Sequence, residues 1–179
     1  MDNNSIYINH NNQKRATLKF MLSHPAHIIS LGFGIGLMPF MSGTFGTIFG
    51  WLIFVILNHY FFLTKLEWFS LILFAFISGI YITGFTAKEI CIADPDSVIF
   101  DEIVSIWIVL LFITPETFSS QFSGFLLFRF FDIIKPSPIS YFDRNMKNGF
   151  GIMFDDILSA FMAMFILAFL RLFLGYTIH

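Results

Sequence analysis

Long apolar runs separated by short polar segments make up most of the chain, and their lengths predict membrane-spanning helices. Five of these runs approach the roughly 20 residues that a helix needs to cross a bilayer. They cover residues 45–63, 66–84, 98–113, 118–134 and 152–176. Residues 28–41 are also apolar, but they are rich in glycine and too short for a full span. The pattern therefore predicts an all-α, polytopic membrane bundle with about four or five spans and an N-terminal interfacial or re-entrant helix.

The polar start of the chain has a different pattern. Residues 14–27 place basic and histidine side chains around a few apolar positions, which is typical of a short helix on a membrane surface. The opening stretch, MDNNSIYINHNNQKR, lacks the apolar core of a secretory signal. We expect residues 1–19 to form a disordered tail without chemistry, and residues 20–176 to form a single membrane domain.

The composition indicates a membrane protein and argues against several classes of function. Hydrophobic residues make up 56% of the 179 residues, and only 12% are charged, whereas soluble domains carry about 25% charged residues. The net charge of −2 and the lack of a dense basic cluster argue against nucleic-acid binding. Cys91 is the single cysteine, so an intramolecular disulfide is excluded.

The distribution of lysine and arginine predicts the orientation of the chain in the membrane. Most of these residues fall in the N-terminal tail, in the 85–100 connection and in the 135–151 loop. With five spans these three segments lie on one side, and the positive-inside rule makes that side cytoplasmic. Charged side chains at the neighbouring helix ends are therefore expected near the cytoplasmic face.

Ionisable residues collect at the predicted cytoplasmic ends of three helices. The pairs are Asp101 and Glu102, Arg129 and Asp132, and Asp155 and Asp156. A charge in the hydrocarbon core costs about 2.5–3.5 kcal/mol, and less near the interface, whereas a divalent cation in a wet cavity stabilises the same carboxylates. Any single one of these acids is equally compatible with a simple helix cap. Their arrival at one depth favours a metal site.

The residue types around these acids indicate the chemistry. Carboxylates without histidine partners suit a hard cation such as Mg²⁺, which prefers oxygen ligands. Basic side chains suited to phosphate recognition lie close by in the sequence: they are Arg129, Lys135, Arg144 and Lys147. Lipid headgroup phosphates lie at the same depth. The residues alone therefore favour metal-assisted phosphoryl chemistry on a lipid headgroup.

A segment of small and hydroxyl residues, SGTFGT, opens the first long apolar helix. Backbone N–H groups at a helix start are free to bind a phosphate. The candidate phosphate-binding residues of this segment are Gly43, Thr44, Gly46 and Thr47. An ordinary helix cap with close helix packing explains the same pattern, and this alternative stays open from the sequence.

Four motifs in this order carry a family resemblance: GFGIGLMP…SGTFGT, DPDSVIFDE, FRFFDIIKPSPI and FDRNMKNGFGIMFDD. Over about residues 20–174 the series resembles the phosphatidylglycerophosphatase A family of bacterial membrane enzymes. The resemblance implies Mg²⁺-dependent removal of the terminal phosphate from phosphatidylglycerophosphate, which gives phosphatidylglycerol. It also implies an all-helical fold in the bacterial inner membrane with the active site facing the cytoplasm. By motif position, the family's site residues correspond to Asp101, Glu102, Arg129, Asp132, Lys135, Pro136, Asp143, Arg144, Asp155 and Asp156.

These positions lead to a mechanistic hypothesis. Four carboxylates would supply most of the metal ligands: Asp101, Glu102, Asp132 and Asp156. Three basic residues would neutralise charge that develops on the phosphoryl oxygens: Arg129, Lys135 and Arg144. Asp155 or Asp143 would act as a base or orient a basic residue. Attack by water and an aspartyl-phosphate intermediate both remain open.

Other functions fit parts of the pattern. A phosphatase of another lipid phosphate, such as phosphatidic acid, would need the same groups. A small ion-coupled transporter would also carry intramembrane carboxylates and an arginine, but it is expected to place them near the bilayer midplane and to show an internal repeat. A structural membrane subunit would not need the ordered charged motifs. The sequence leaves the headgroup preference and the oligomeric state open.

Overall fold

The structure, a computed structural model, describes residues 6–8, 14–92, 94–113 and 117–174. In these residues the chain forms eight α-helices and one 3₁₀ helix, which confirms the predicted all-α class. The α-helices are α1 (Leu18–Met21), α2 (Pro25–Ser30), α3 (Ser42–Phe61), α4 (Lys65–Ile90), α5 (Phe100–Phe112), α6 (Phe118–Ile134), α7 (Ile139–Asn145) and α8 (Gly149–Leu174). The 3₁₀ helix is Gly32–Leu37. Three-residue strands β1 (Ile6–Ile8) and β2 (Lys14–Ala16) pair antiparallel within the predicted tail.

Within the described part of the chain, three helices are long and apolar enough to cross a membrane: α3, α4 and residues 149–172 of α8. Helix α6 has 17 residues and α5 only 13, and a helix of 13 residues rises about 20 Å. That rise is well short of the roughly 30 Å of a bilayer's hydrocarbon core. Length and composition therefore support three of the four or five predicted spans.

Helix α5, the predicted third span, lies at the centre of the bundle. Every side chain from Ile103 to Leu111 is buried, and α5 contacts α3, α4, α6 and α8. The indole Nε1 of Trp107 donates a hydrogen bond of 2.8 Å to the carbonyl oxygen of Gly50 on α3. A helix that is apolar all round suits either lipid or a protein core, so its pattern alone does not distinguish the two.

Helix α4 extends beyond its predicted end at residue 84 and continues to Ile90. It begins with a capping box, in which the side chains of Thr64 and Glu67 bond to each other's backbone N–H groups. Its last turns bury Thr86 and Ile90 against the N-terminal segment. The polar connection is therefore shorter than the predicted 85–100, because residues 85–90 pack in the fold.

The N-terminal apolar segment folds back without crossing the bundle. The 3₁₀ helix contains backbone in the left-handed region at Gly32, Phe33 and Gly34, which turns the chain sharply. Ser30 accepts a hydrogen bond of 3.0 Å at its carbonyl oxygen from the N–H of Ile99, just before α5. Bulky side chains remain exposed on this segment, including Phe40. The interfacial or re-entrant character of residues 28–41 stays a prediction.

Residues 14–27, predicted as one short surface helix, instead form a strand, α1 and the start of α2. His27 lies on α2 with 3% of its surface exposed, and its Nδ1 is 3.0 Å from the hydroxyl oxygen of Thr86. Its ring stacks on Phe20 with centroids 4.2 Å apart. Burial lowers the pKa of His27 below its usual range. This segment is therefore attached to α4 through a buried face.

Helices α4 and α8 approach closely at Gly84 and Gly149. A Cβ added to Gly149 would lie 2.9 Å from the Cα of Gly84 and would also meet the carbonyl oxygen of Ile80. Small residues at such a crossing allow the backbones of membrane helices to touch. The crossing holds the start of α8 in place, and α8 carries Asp155 and Asp156.

We expect Gly149→Ala to lower the free energy of unfolding by about 1–3 kcal/mol, because the added methyl group forces two backbones apart. Thermal unfolding in detergent measures this change. Ser70→Ala, on an exposed position of α4, is the control and should leave the midpoint unchanged. An unchanged midpoint for Gly149→Ala would show that the crossing does not constrain the bundle.

Candidate active site

Four helices bring charged or small residues to one end of the bundle. Helices α3, α5 and α8 begin at this end and α6 ends there, so their termini carry the polar motifs. The residues predicted to converge at one depth are brought together there. They form two neighbouring groups, one around Glu102 and one around Lys135.

Asp101, Glu102 and Asp156 form the first group, here named the acidic trio. Each residue offers one carboxylate oxygen, and these oxygens lie within 4.8 Å of one another. Asp101 is 6% exposed and Asp156 is 4% exposed. Among the described residues, no hydrogen-bond partner reaches one oxygen of each carboxylate: Asp101 Oδ1, Glu102 Oε2 and Asp156 Oδ2. Buried carboxylates without partners are strongly unfavourable unless a cation neutralises them, so this donor set fits a hard divalent cation.

Arg129 connects the acidic trio to α6 and α3. Its Nη1 donates a short hydrogen bond to Asp132, one turn along α6. The same nitrogen lies 3.8 Å from Glu102 Oε1 and 3.5 Å from the hydroxyl oxygen of Thr47. Its Nε–H is buried and has no partner among the described residues. The guanidinium is thus held on one edge and keeps one donor free for another group.

Asp132, predicted as a metal ligand, has an arginine partner instead of a place in the acidic trio. It is 9% exposed and lies on the inner face of α6. The role of Asp132 as a ligand stays a prediction, and its observed contact orients Arg129.

The start of α3 lies against this group because Gly43 has no side chain. A Cβ at Gly43 would lie 3.1 Å from Arg129 Nη2 and would also meet a carboxylate oxygen of Glu102. Helix α3 has no side-chain cap, because Met41 at the N-cap makes no such bond. The first N–H groups of a helix lack intrahelical partners. Because Gly43 allows this close approach, the free backbone N–H groups at the start of α3 lie beside Arg129.

The other members of the predicted phosphate-binding segment have packing contacts. Gly46 lies against Ile99, where an added Cβ would be 2.8 Å from the isoleucine Cβ. The hydroxyl of Thr47 is fully buried and donates a 2.8 Å hydrogen bond to the carbonyl oxygen of Gly43. Thr44 is half-buried. Helix packing thus accounts for Gly46 and Thr47, and Gly43 is the one of the four candidate phosphate-binding residues that lines the cavity.

A cavity of about 520 Å³ opens beside Glu102 and Arg129, within the range typical of small-molecule sites. Ser42 and Gly43 line it from α3, and the loop before α5 contributes Ser97, whose buried hydroxyl has no partner among the described residues. Ser42 donates a 2.5 Å hydrogen bond to the carbonyl oxygen of Asp96 and joins the two walls. The remaining lining residues are Ala16, Gly36, Leu37, Met38, Pro39, Met41, Ile92, Asp94, Pro95 and Asp96.

Lys135 forms the second group, here named the lysine cluster, with three carboxylates. Its Nζ lies 2.5 Å from Asp155 Oδ2, 3.0 Å from Asp143 Oδ1 and 4.0 Å from Asp94 Oδ2. Burial lowers the pKa of Lys135, but Asp155, Asp143 and Asp94 together outweigh burial, so the pKa of the lysine is raised. Burial raises the pKa of Asp143, but the hydrogen bonds and charges of Lys135 and Lys147 together outweigh burial, so its pKa is lowered. Lys135 and Asp143 are therefore both charged at neutral pH.

The remaining predicted site residues lie in different places, and the structure adds one further residue to the site, Asp94. Arg144 lies exposed on α7, a helix formed where only a loop was predicted. Asp155 faces the lysine cluster although its neighbour Asp156 faces the acidic trio. Asp94 was interpreted from the sequence as part of a turn, yet it lines the cavity and reaches Lys135. The sequence did hold one signal for this role, because Asp94 lies in the same motif, DPDSVIFDE, as Asp101 and Glu102.

Comparisons with known proteins agree on one family. A sequence model of the family described as phosphatidylglycerophosphatase A matches residues 28–171. The chain is 38% identical over 151 residues to the Haemophilus influenzae phosphatidylglycerophosphatase A, covering 83% of this chain and 90% of that protein. It is 34% identical over 158 residues to the Escherichia coli phosphatidylglycerophosphatase A, covering 87% and 88%.

A third relative carries a different name. It comes from Bacteroides thetaiotaomicron, is named provisionally as a phosphatidylinositol-3-phosphatase, and is 32% identical over 151 residues, or 83% of this chain and 94% of that protein. No solved structure is significantly similar to this chain.

Proposed function

The chain belongs to the phosphatidylglycerophosphatase A family, and from this membership we propose that it hydrolyses the terminal phosphate of phosphatidylglycerophosphate with the help of Mg²⁺. The products would be phosphatidylglycerol and inorganic phosphate. The observation that carries the proposal is the acidic trio, two buried carboxylates and one half-buried carboxylate that each have an unpaired oxygen, with Arg129 beside Glu102 at the wall of a cavity. This combination suits a phosphomonoester that arrives with its own negative charge.

The acidic trio would hold the metal. Asp101, Glu102 and Asp156 offer oxygen donors at a spacing that suits one hard cation. Mg²⁺ usually keeps several waters in its octahedral shell, so three carboxylates leave room for the substrate. When bound, Mg²⁺ polarises the phosphate and lowers the pKa of an attacking water.

Arg129 would bind the phosphoryl oxygens. Its Nη1 is already held by Asp132, its buried Nε–H has no partner among the described residues, and the residue lines the cavity. Donors that are oriented before the reaction stabilise developing charge without reorganisation. The free N–H groups at the start of α3, beside Gly43, add partial positive charge on the same side.

Lys135 would supply one fixed positive charge, held among three carboxylates, next to the acidic trio. Asp143 and Asp155 both contact Lys135, which favours the orienting role for these two acids over the role of a base. Arg144 is exposed on α7 and would act only at the edge of the site, where a large headgroup extends toward water.

The membrane position follows from the same features. We place the active-site end of the bundle at the cytoplasmic face of the bacterial inner membrane, because the lysine- and arginine-rich segments lie at this end. Exposed apolar side chains of Met38, Phe40 and Met41 lie at or beside the cavity lining. Such side chains insert into the interface, so the acyl chains of a substrate would stay in the inner leaflet while its headgroup enters the cavity.

Phosphate release by the purified protein in mixed micelles tests the proposal. We expect Mg²⁺ to support release from phosphatidylglycerophosphate, and EDTA to abolish it, because the acidic trio is left unneutralised without a cation. Phosphatidic acid and phosphatidylinositol 3-phosphate are the matched substrates, the latter suggested by the name of the third relative. Release from phosphatidylglycerophosphate alone supports the full proposal. Equal release from all three contradicts the headgroup assignment, and EDTA-resistant release contradicts the metal.

A further inference from the structure

Two groups of three carboxylates lie side by side at the active-site end, and one of them contains a cation supplied by the chain. The carboxylate oxygens of Asp94, Asp143 and Asp155 lie within 4.8 Å of one another, as do those of the acidic trio. Asp155 and Asp156 are consecutive on α8, and consecutive side chains point about 100° apart around a helix. The two groups of three carboxylates are therefore linked through the peptide bond between Asp155 and Asp156.

The two groups differ in their positive charge. In the lysine cluster, Lys135 Nζ is 2.5 Å from Asp155 and 3.0 Å from Asp143, with Asp94 at 4.0 Å. In the described part of the chain, no ammonium or guanidinium nitrogen lies within 4.0 Å of Asp101 or Asp156. Lys135 therefore lies within 4.0 Å of all three carboxylates of the lysine cluster, whereas in the acidic trio Arg129 approaches Glu102 alone, at 3.8 Å.

The position of Lys135 in the chain places it between two helices. Helix α6 ends at Lys135 in the left-handed region, with φ of 44°, a conformation that side chains other than glycine rarely adopt. After this end of α6 the chain continues through residues 136–138 to α7, which carries Asp143. The lysine thus sits where α6, α7, α8 and the loop before α5 meet.

We propose that the ammonium group of Lys135 occupies a second cation position in this site, so that the protein binds a single exchangeable divalent ion and carries its other positive charge covalently. Metal enzymes that act on phosphates often place two cations side by side; here a lysine takes the second place. The single-ion count rests on the proposed function, but the role of Lys135 is tested separately. Removing the ammonium should convert Asp94, Asp143 and Asp155 into a second divalent-ion site.

Counting Mn²⁺ by electron paramagnetic resonance tests this inference in the full-length protein in detergent. Free hexaaqua Mn²⁺ gives the signal, so bound ions are obtained by difference. We expect one bound ion per chain in the wild type and two in Lys135→Met. The count in the wild type tests the metal of the proposed function, and the difference between the two proteins tests the role of Lys135.

Two matched variants make the difference specific. Lys147 also lies near Asp143, at 3.7 Å, but its side chain is largely exposed, so Lys147→Met should bind the same number of ions as the wild type. Lys135→Arg keeps a positive charge in the cluster and should also gain no ion. If metal-free Lys135→Met does not fold, it is purified in Mn²⁺ and its bound ions are counted.

The outcomes decide the inference. One bound ion in the wild type together with an extra ion in Lys135→Met alone supports it, and more than one ion in the wild type overturns the single-ion count. An equal count in Lys135→Met and the wild type overturns it, as does a Lys135→Met protein that Mn²⁺ fails to restore, because a divalent ion would then not replace the ammonium. An extra ion in Lys147→Met as well would mean that overall charge, not the position of Lys135, controls the count.

Discussion

Replacing Asp156 with asparagine is expected to abolish metal-dependent phosphate release, with kcat reduced by about a thousandfold or more. The amide keeps the shape of the side chain and removes the negative charge that would bind the cation. Because Asp156 is buried beside two other carboxylates, its neutralisation also relieves repulsion between like charges. The metal-free variant should therefore unfold at the same temperature as the wild type or at a higher one.

Three measurements on Asp156→Asn check this expectation: phosphate release, Mn²⁺ affinity and the midpoint of thermal unfolding. Glu89→Gln is the control, because Glu89 is exposed near the end of α4 and its loss changes the net charge equally. Weak Mn²⁺ binding with retained folding would support the ligand role. Wild-type turnover in Asp156→Asn would exclude Asp156 from the metal site.

The different surroundings of Asp155 and Asp156 illustrate what the sequence could predict about the site. The sequence places both residues at the start of one apolar helix and assigns them to one site. The choice between them depends on the rotation of α8 relative to α5 and α6, which is set by the close crossing at Gly84 and Gly149. Tertiary packing therefore determines which acid faces Lys135 and which faces Glu102.

Helix α5 shows the corresponding limit for the fold. Its apolar composition predicted a helix correctly, and Asp101 and Glu102 marked its start. The same composition suits lipid and protein neighbours equally, and its 13 residues are recognised as too few for a span only after both ends are known. A buried central helix thus looks like a membrane span in the sequence.

The parts of the site that were predicted least well from the sequence lie outside the long helices. Pro136 and Pro138 favoured an irregular segment, yet α7 forms directly after them and positions Asp143. Asp94 was interpreted as the first residue of an Asp94-Pro95-Asp96 turn, and its contact with Lys135 depends on the path of the loop before α5. Such long-range placements leave no periodic signal in the chain, whereas the helical pair Arg129 and Asp132 did.

Substituting Arg129 with lysine is expected to lower kcat/KM by about a hundredfold, which is the lower end of the cost of losing one oriented donor in an oxyanion-type site. A lysine keeps a positive charge beside Asp132, so the fold is preserved. It has no counterpart to the buried, unpaired Nε–H of Arg129, and a lysine ammonium is a point charge without the planar fork of a guanidinium.

The matched control is Arg171→Lys, because Arg171 is exposed in the last turn of α8, at the opposite end of that helix from Asp155 and Asp156. Steady-state rates on phosphatidylglycerophosphate and the thermal midpoint of each variant separate catalysis from folding. If Arg129→Lys loses activity but keeps its midpoint, the guanidinium acts on the substrate through donor geometry. Near-wild-type activity would instead mean that a positive charge suffices, and that pairing with Asp132 explains why an arginine occupies this position.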